Sequence, residues 1–227
     1  MERPEAVGES LECKRPDEKT PGLDVEYALL ARYDTVIGMD EVGRGAIAGP
    51  VAVGAQVFTL ASGDVPDGLK DSKLLTEKRR VALEPAVKAW GIGAVGYGSA
   101  PEIDRYGITE MLGEAGFRAL ASLAEQGVDL SRAVVLLDGS HDWLSPLLEG
   151  RPEVVTRVGA DRACASVAAA SVRAKVARDS LMQRHAAEFP HYSWETNKGY
   201  GSKKHYEGIA NYGVTELHRK TWIKGER

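Results

Sequence analysis

Five short apolar runs, rich in valine, isoleucine and alanine, set the terms on which this chain can fold. They lie at Thr35–Asp40, Val51–Phe58, Ile92–Tyr97, Ala133–Leu137 and Val154–Val158. Short runs of this kind, bounded by glycine and proline, read as strands. Gly43, Gly45, Gly49 and Pro50 separate the first two closely enough for a hairpin. Helical patterns fill the later gaps. Thr76 is placed to cap a helix running toward Trp90, interrupted or bent near Pro85, and Ser99, Pro101 and Glu102 spell a second helix start. Ile108, Met111, Leu112, Ala115, Ala119 and Leu123 then keep the 3.6-residue period of an amphipathic helix. An alanine-rich helix is expected from Ser166 to Glu188, stopped by Pro190, and Ser202 is placed to cap a further one. A hairpin followed by strands alternating with helices specifies an α/β domain with a mixed sheet, its helices gathering at the C-terminal end. Residues 1–22, polar and carrying Pro4, Pro16 and Pro21, read as a disordered extension, which leaves 23–227 as one folded domain.

Composition excludes more than it selects. The charged N-terminus has no apolar core of a signal peptide. The longest uncharged run, Gly45 to Gly63, holds Pro50, Gln56, Thr59 and four glycines, which does not suit a membrane span. Cys13 and Cys164 are far apart and without CxxC spacing, so neither a disulfide framework nor a zinc site is expected, and a reducing cytoplasm is the simplest compartment. The net charge of −4 is unevenly spread. From Arg173 onward there are eleven Lys/Arg against six Asp/Glu, which leaves eighteen against twenty-seven before it. An acidic body able to hold cations and a basic tail able to hold phosphates suit a nuclease, although a basic tail by itself is equally a solvated helix.

The chemistry concentrates at strand ends. Asp40 and Glu41 stand together where the first strand meets Gly43-Arg44-Gly45. Neighbours on a regular strand face opposite ways, so the two converge only if the chain bends just after Asp40. Taken alone the pair reads as an acidic turn. Asp138, however, ends the apolar run Ala133–Leu137, and Asp161 follows the fifth strand. Three strand ends thus bring carboxylates toward one sheet edge, where open α/β sheets bind ligands. Clustered carboxylates repel, and all-oxygen ligation suits Mg²⁺ or Mn²⁺. No Ser-His-Asp or Cys-His set is apparent. Only His141 lies near the cluster, while His218 reads as structural and Cys164 as a buried small residue.

The segment Asp40-Glu-Val-Gly-Arg-Gly45 with Ala48-Gly-Pro50 resembles the opening signature of the ribonuclease HII family. Asp71-Ser-Lys73, Leu137-Asp-Gly139, Ala168-Ala-Ala-Ser171 with Ala174-Lys-Val176 and Arg178-Asp179, and Gly199-Tyr-Gly201 resemble its later blocks in the same order, over roughly residues 25–222. The resemblance implies an RNase H-like fold, with a five-stranded mixed sheet flanked by helices and a C-terminal helical substrate-binding region. It implies four metal-binding carboxylates, Asp40, Glu41, Asp138 and Asp161, serving two Mg²⁺ or Mn²⁺ ions. At Asp161 the family's usual Lys-Gly pair is replaced by Gly159-Ala160, although the distance to Ser171 fits. The rival, Asp179, reads as a solvated helical ion pair with Lys175. Backbone groups of Gly43, Arg44 and Gly45 are implied to read the ribose 2′-OH, and Tyr200 to stack on the following deoxyribose. Ser72 and Lys73 are expected at a phosphate, with Lys198, Lys203 and Lys204 further along the backbone.

The implied activity is endonucleolytic cleavage of the RNA strand of RNA–DNA hybrids, and cleavage 5′ to ribonucleotides embedded in duplex DNA. It leaves 3′-hydroxyl and 5′-phosphate ends and serves ribonucleotide removal and hybrid clearance. No membrane and no obligate protein partner are expected, and a monomer suffices. An integrase or junction resolvase would share the carboxylates without the Gly-Arg-Gly and Gly-Tyr-Gly blocks. A ribonuclease HIII would carry an extra N-terminal domain and Glu in place of the last Asp. A binding module that has lost catalysis is the reading from another class.

Overall fold

The computed structural model of the chain describes residues 20–223. A five-stranded sheet has the order β3-β2-β1-β4-β5, with β1 Thr35–Val42, β2 Val51–Phe58, β3 Gly93–Gly98, β4 Ala133–Asp138 and β5 Glu153–Arg157. The first three strands form an antiparallel meander, and β4 and β5 run parallel to β1. The expected mixed sheet is therefore present, hairpin included. Helix α1, Asp24–Leu30, precedes it, and α2, Glu77–Trp90, follows the hairpin, capped by Thr76. Pro85 does not interrupt α2. Helix α3, Ala100–Tyr106, starts with the full Ser99–Glu102 capping box, and α4 spans Ile108–Glu125. After β5 come α5, Ala160–Ala163, and the long α6, Ala165–Glu188; α7, Trp194–Asn197, and α8, Lys203–Tyr212, complete the C-terminal region. Ser202 caps α8 as expected. Most of the polar segment 1–22 lies outside the described residues. Its last residue, Gly22, exchanges backbone hydrogen bonds with Ala163 and Ala165, so the folded part begins slightly earlier than the composition suggests. Among the described residues no helix is long and apolar enough to cross a membrane.

The two sheet faces bury different things. One face packs Ile37, Met39, Val51, Val53, Val135 and Leu137 against α4 residues such as Leu112, Leu120 and Leu123. The other carries α6, whose alanine-rich surface lies directly on the strands. A side chain on Gly38 would meet the backbone of Ser166 at 2.3 Å, and one on Gly54 the carbonyl oxygen of Ala170 at 2.2 Å. This close approach explains why α6 is built from alanine, and it sets Ser171 near the end of β1. Gly38→Ala is expected to destabilise the protein by about 1–3 kcal/mol or more, because backbone and not a flexible side chain must give way. Urea denaturation checks it, and an unchanged midpoint would mean that α6 can slide without cost.

Candidate active site

The parallel strands β1, β4 and β5 end on the same sheet edge, so their C-terminal residues meet there. The last paired residues of β1 and β4 are Met39 and Leu137, which leaves Asp40 and Asp138 side by side one step on. Asp161 enters in the first turn of α5, after Gly159 in left-handed conformation. Its amide donates to Asp138 Oδ1 at 3.3 Å. One expectation needs correction. The chain does not bend after Asp40, because β1 stays paired with β2 through Val42. Asp40 falls on the α6 face and Glu41 on the alternate one. The Asp40 carboxylate accepts the Glu41 amide at 2.8 Å, and although the two side chains leave opposite faces, each still feels the charge of Asp138 at the strand end.

These carboxylates are poorly compensated. Burial raises Asp40 to about 7, against the opposing hydrogen bond from the Ser171 hydroxyl, and the Glu41 charge adds to the rise. Burial also raises Glu41, countered by Arg44, and raises Asp138, where the Asp161 charge adds to it. The resident counter-charges are Arg44, 3.7 Å from Glu41, and Lys73, whose ammonium donates to Asp161 Oδ2 at 3.0 Å. Burial opposes that ammonium, but the Asp161 bond and the charges of Asp40, Asp161 and Asp71 raise its pKa overall.

The Asp71-Ser72-Lys73 segment departs from its expected role. Ser72 is buried, and its hydroxyl shares a 2.7 Å hydrogen bond with the Ser171 hydroxyl, so it braces α6 and does not face a phosphate. Lys198 is likewise buried, donating to the Glu195 carbonyl at 2.6 Å with Glu77 at 3.3 Å, and so is not placed at the surface. Lys203 and Lys204 are exposed on the first turn of α8. Tyr200 is 37% exposed. Asp179 pairs with Lys175 at 2.7 Å, as expected, and also with Arg80 at 3.5 Å. It is buried, not solvated, because α2 closes over it. His218 is buried and bonded to Thr215 and His205, and Cys164 is buried at the start of α6.

Beside the carboxylates, three distant segments are tied into one surface. The amides of Ile47 and Ala48 both donate to the Gly199 carbonyl, and Gly49 donates to that of Leu217. In the Gly43–Gly45 turn, the Gly43 and Arg44 carbonyls are occupied by Arg219 at 2.7 and 2.8 Å. Gly45 is exposed with open space around its α-carbon, and among the described residues its backbone makes no hydrogen bond.

A family model described as Ribonuclease HII matches residues 37–225. The chain belongs to the ribonuclease HII family. A ribonuclease HII from Ruegeria sp. (strain TM1040) is 43% identical over 203 residues, 89% of this chain and 84% of that one. The crystal structure of ribonuclease H2 from Pyrococcus horikoshii OT3 is 26% identical with a TM-score of 0.65, covering 83% of this chain and 93% of its own. Bst-RNase HIII in complex with Mn²⁺ shares the fold at 21% identity, with a TM-score of 0.69 and coverages of 86% and 69%.

As a ribonuclease HII, the chain is an endoribonuclease acting on the RNA of RNA–DNA hybrids, and the family is divalent-metal dependent. Its site suits such an ion by chemistry. The donors are carboxylate oxygens only, and three of them are held back from ionising by burial. As they stand, no three His, Cys, Asp or Glu side chains among the described residues come together closely enough to hold an ion, and Lys73 lies against Asp161 at 3.0 Å. Ser171, Arg178 and Arg219 escaped the reading of their neighbourhood. Ser171 and Arg178 belong to quoted blocks, but the partners lie 99 residues or more away for Ser171 and Arg219, and for two of the three that Arg178 holds.

Proposed function

We propose that this ribonuclease HII cuts 5′ to single ribonucleotides in duplex DNA as well as within RNA–DNA hybrids, leaving 3′-hydroxyl and 5′-phosphate ends. Asp40, Glu41, Asp138 and Asp161 would hold two Mg²⁺ or Mn²⁺ ions. When bound, such ions make water nucleophilic near neutral pH and stabilise the leaving oxygen. The observation that carries this reading is the juxtaposition of under-compensated carboxylates with the exposed, unoccupied backbone of Gly45. Ser171 orients the Asp40 carboxylate, and the Asp161 amide fixes that of Asp138. Gly45 offers backbone donor and acceptor to a 2′-OH, with no side chain in the way. Tyr200 packs on the next deoxyribose. Lys203 and Lys204 hold phosphates, and Lys73 joins them once released from Asp161. Phosphates are common to DNA and RNA, so these lysines add affinity without selecting ribose. The cellular roles that follow are ribonucleotide removal and hybrid clearance, and one copy of the chain carries every residue named.

The direct experiment is cleavage of an end-labelled duplex containing one ribonucleotide, with and without Mg²⁺ or Mn²⁺. One cut on the 5′ side, dependent on metal, is expected; an intact duplex at every metal concentration would overturn the reading. Tyr200→Ala is expected to reduce kcat/KM on this substrate roughly tenfold more than on a continuous hybrid, as lost positioning costs rate steeply. Equal losses at fixed salt would withdraw the junction-reading role.

A further inference from the structure

Two guanidinium groups are buried beneath the substrate-facing loops, and among the described residues neither makes an ion pair. Arg178 and Arg219 are both completely buried. A buried charge without a carboxylate is costly and is kept only where its donors are satisfied. Here they are satisfied by backbone carbonyls. Arg178 donates from Nε to Pro50 at 2.7 Å, from Nη2 to Ala48 at 3.1 Å and from Nη1 to Lys198 at 2.8 Å. One planar fork thus bridges the end of the Gly43–Pro50 loop to the residue that opens Gly199-Tyr200-Gly201. The same guanidinium lies 5.6 Å from the centroid of the Tyr200 ring. Arg219 works differently. Its bonds all go to Gly43, Arg44 and Gly49, within a single loop.

We propose that Arg178 is a positioning residue for substrate choice: it sets the distance between the ribose-reading turn and Tyr200. The inference rests on the roles given above to those two elements. Three observations support it beyond the hydrogen bonds. Lys198, a residue with a side chain, has φ 51°, so the loop is held in a left-handed conformation that such residues disfavour, at the point where Arg178 grips it. Gly43 leaves no room for a side chain, because a Cβ there would meet Arg178 Nε at 2.1 Å. Arg178 therefore also explains why the turn must be glycine on its inner side. Burial lowers the pKa of both arginines, and Arg178 contributes to the lowering at Arg219, so two like charges are held close for the sake of their donors. Lysine cannot replace this geometry, since its three donors radiate from one atom and cannot span three carbonyls in a plane.

The test compares Arg178→Lys with Arg219→Lys. For each, kcat/KM is measured on a duplex with one ribonucleotide and on a continuous RNA–DNA hybrid, alongside thermal stability and Mn²⁺ affinity. Arg178→Lys is expected to lose roughly tenfold more on the single-ribonucleotide substrate than on the hybrid, with Mn²⁺ affinity retained. Arg219→Lys, whose bonds stay within the Gly43–Pro50 loop and do not reach the Lys198–Tyr200 segment, should lose on both alike. In a Tyr200→Ala background, Arg178→Lys should add no further selective loss. Equal losses on both substrates for Arg178→Lys, or selective losses that multiply with Tyr200→Ala, would overturn the proposal. If Arg178→Lys does not fold, Gly199→Ala displaces the same loop, because its Cβ meets the Ala48 carbonyl oxygen at 2.3 Å. Selective loss there supports the coupling of the two loops, and equal loss overturns it. A wild-type protein that ignores the single ribonucleotide would instead refute the underlying reading.

Discussion

Asp40→Asn and Asp138→Asn should each lower kcat by roughly 10³-fold or more, the scale on which enzymes lose a group that stabilises transition-state charge. The fold should survive. An amide keeps the size and part of the hydrogen bonding of Asp40 but cannot offset cationic charge. Its effect on the metal-free protein runs the other way. Burial raises the Asp40 pKa from 3.8 to about 7, so the folded state favours the protonated acid. That contribution to stability is fully present below about 4 and is lost as pH rises through about 7. Asn never ionises, so without metal Asp40→Asn should gain stability relative to wild type over that window. Urea midpoints at pH 4 and pH 8, in the presence of chelator, measure it. Turnover within tenfold of wild type at saturating metal would strike either residue from the catalytic list.

That sign was not readable from the sequence, although the residue was. Asp40 stood out because an apolar strand ran directly into it, and Asp138 because Ala133–Leu137 did the same. The strands, the hairpin, the Ser99 and Ser202 caps and the α6 span are all local patterns, and they reappear with shifts of a residue or two. What the local pattern could not supply is who occupies the space around a side chain. Ser72 looked available for a phosphate until α6 brought Ser171 against it. Lys198 looked placed for the nucleic-acid backbone until the Glu195 carbonyl and Glu77 took its ammonium. Lys73 carried the right charge near the right place, but its partner is an acid of the site itself. Arg178 and Arg219 bond only to carbonyls, and a carbonyl leaves no mark in the sequence.

Asp161 and Asp179 show how the same side chain, equally buried, serves two ends. Asp161 is 4% exposed, and Lys73, itself partly exposed, is the charged partner it has. That lysine's side chain is 63% exposed, so solvent is at hand to take over its ammonium. Asp179, also 4% exposed, is fixed between Lys175 and Arg80 on packed helices. Arg80 in turn donates to the carbonyls of Ser72 and Leu75, so Asp179 anchors the loop that carries Lys73. Asp161→Asn should therefore raise the Mn²⁺ concentration needed for half-maximal cleavage, with little change in stability. Asp179→Asn leaves two mostly buried cations without their counter-charge, and breaking such a group costs about 3–5 kcal/mol. Its molecules that remain folded should need no more metal than wild type. Mn²⁺ titration of activity, paired with urea denaturation, separates the two effects. The assignment fails if Asp179→Asn raises the metal requirement and Asp161→Asn does not, for then the buried helical carboxylate, and not the one at the sheet edge, would be the ligand.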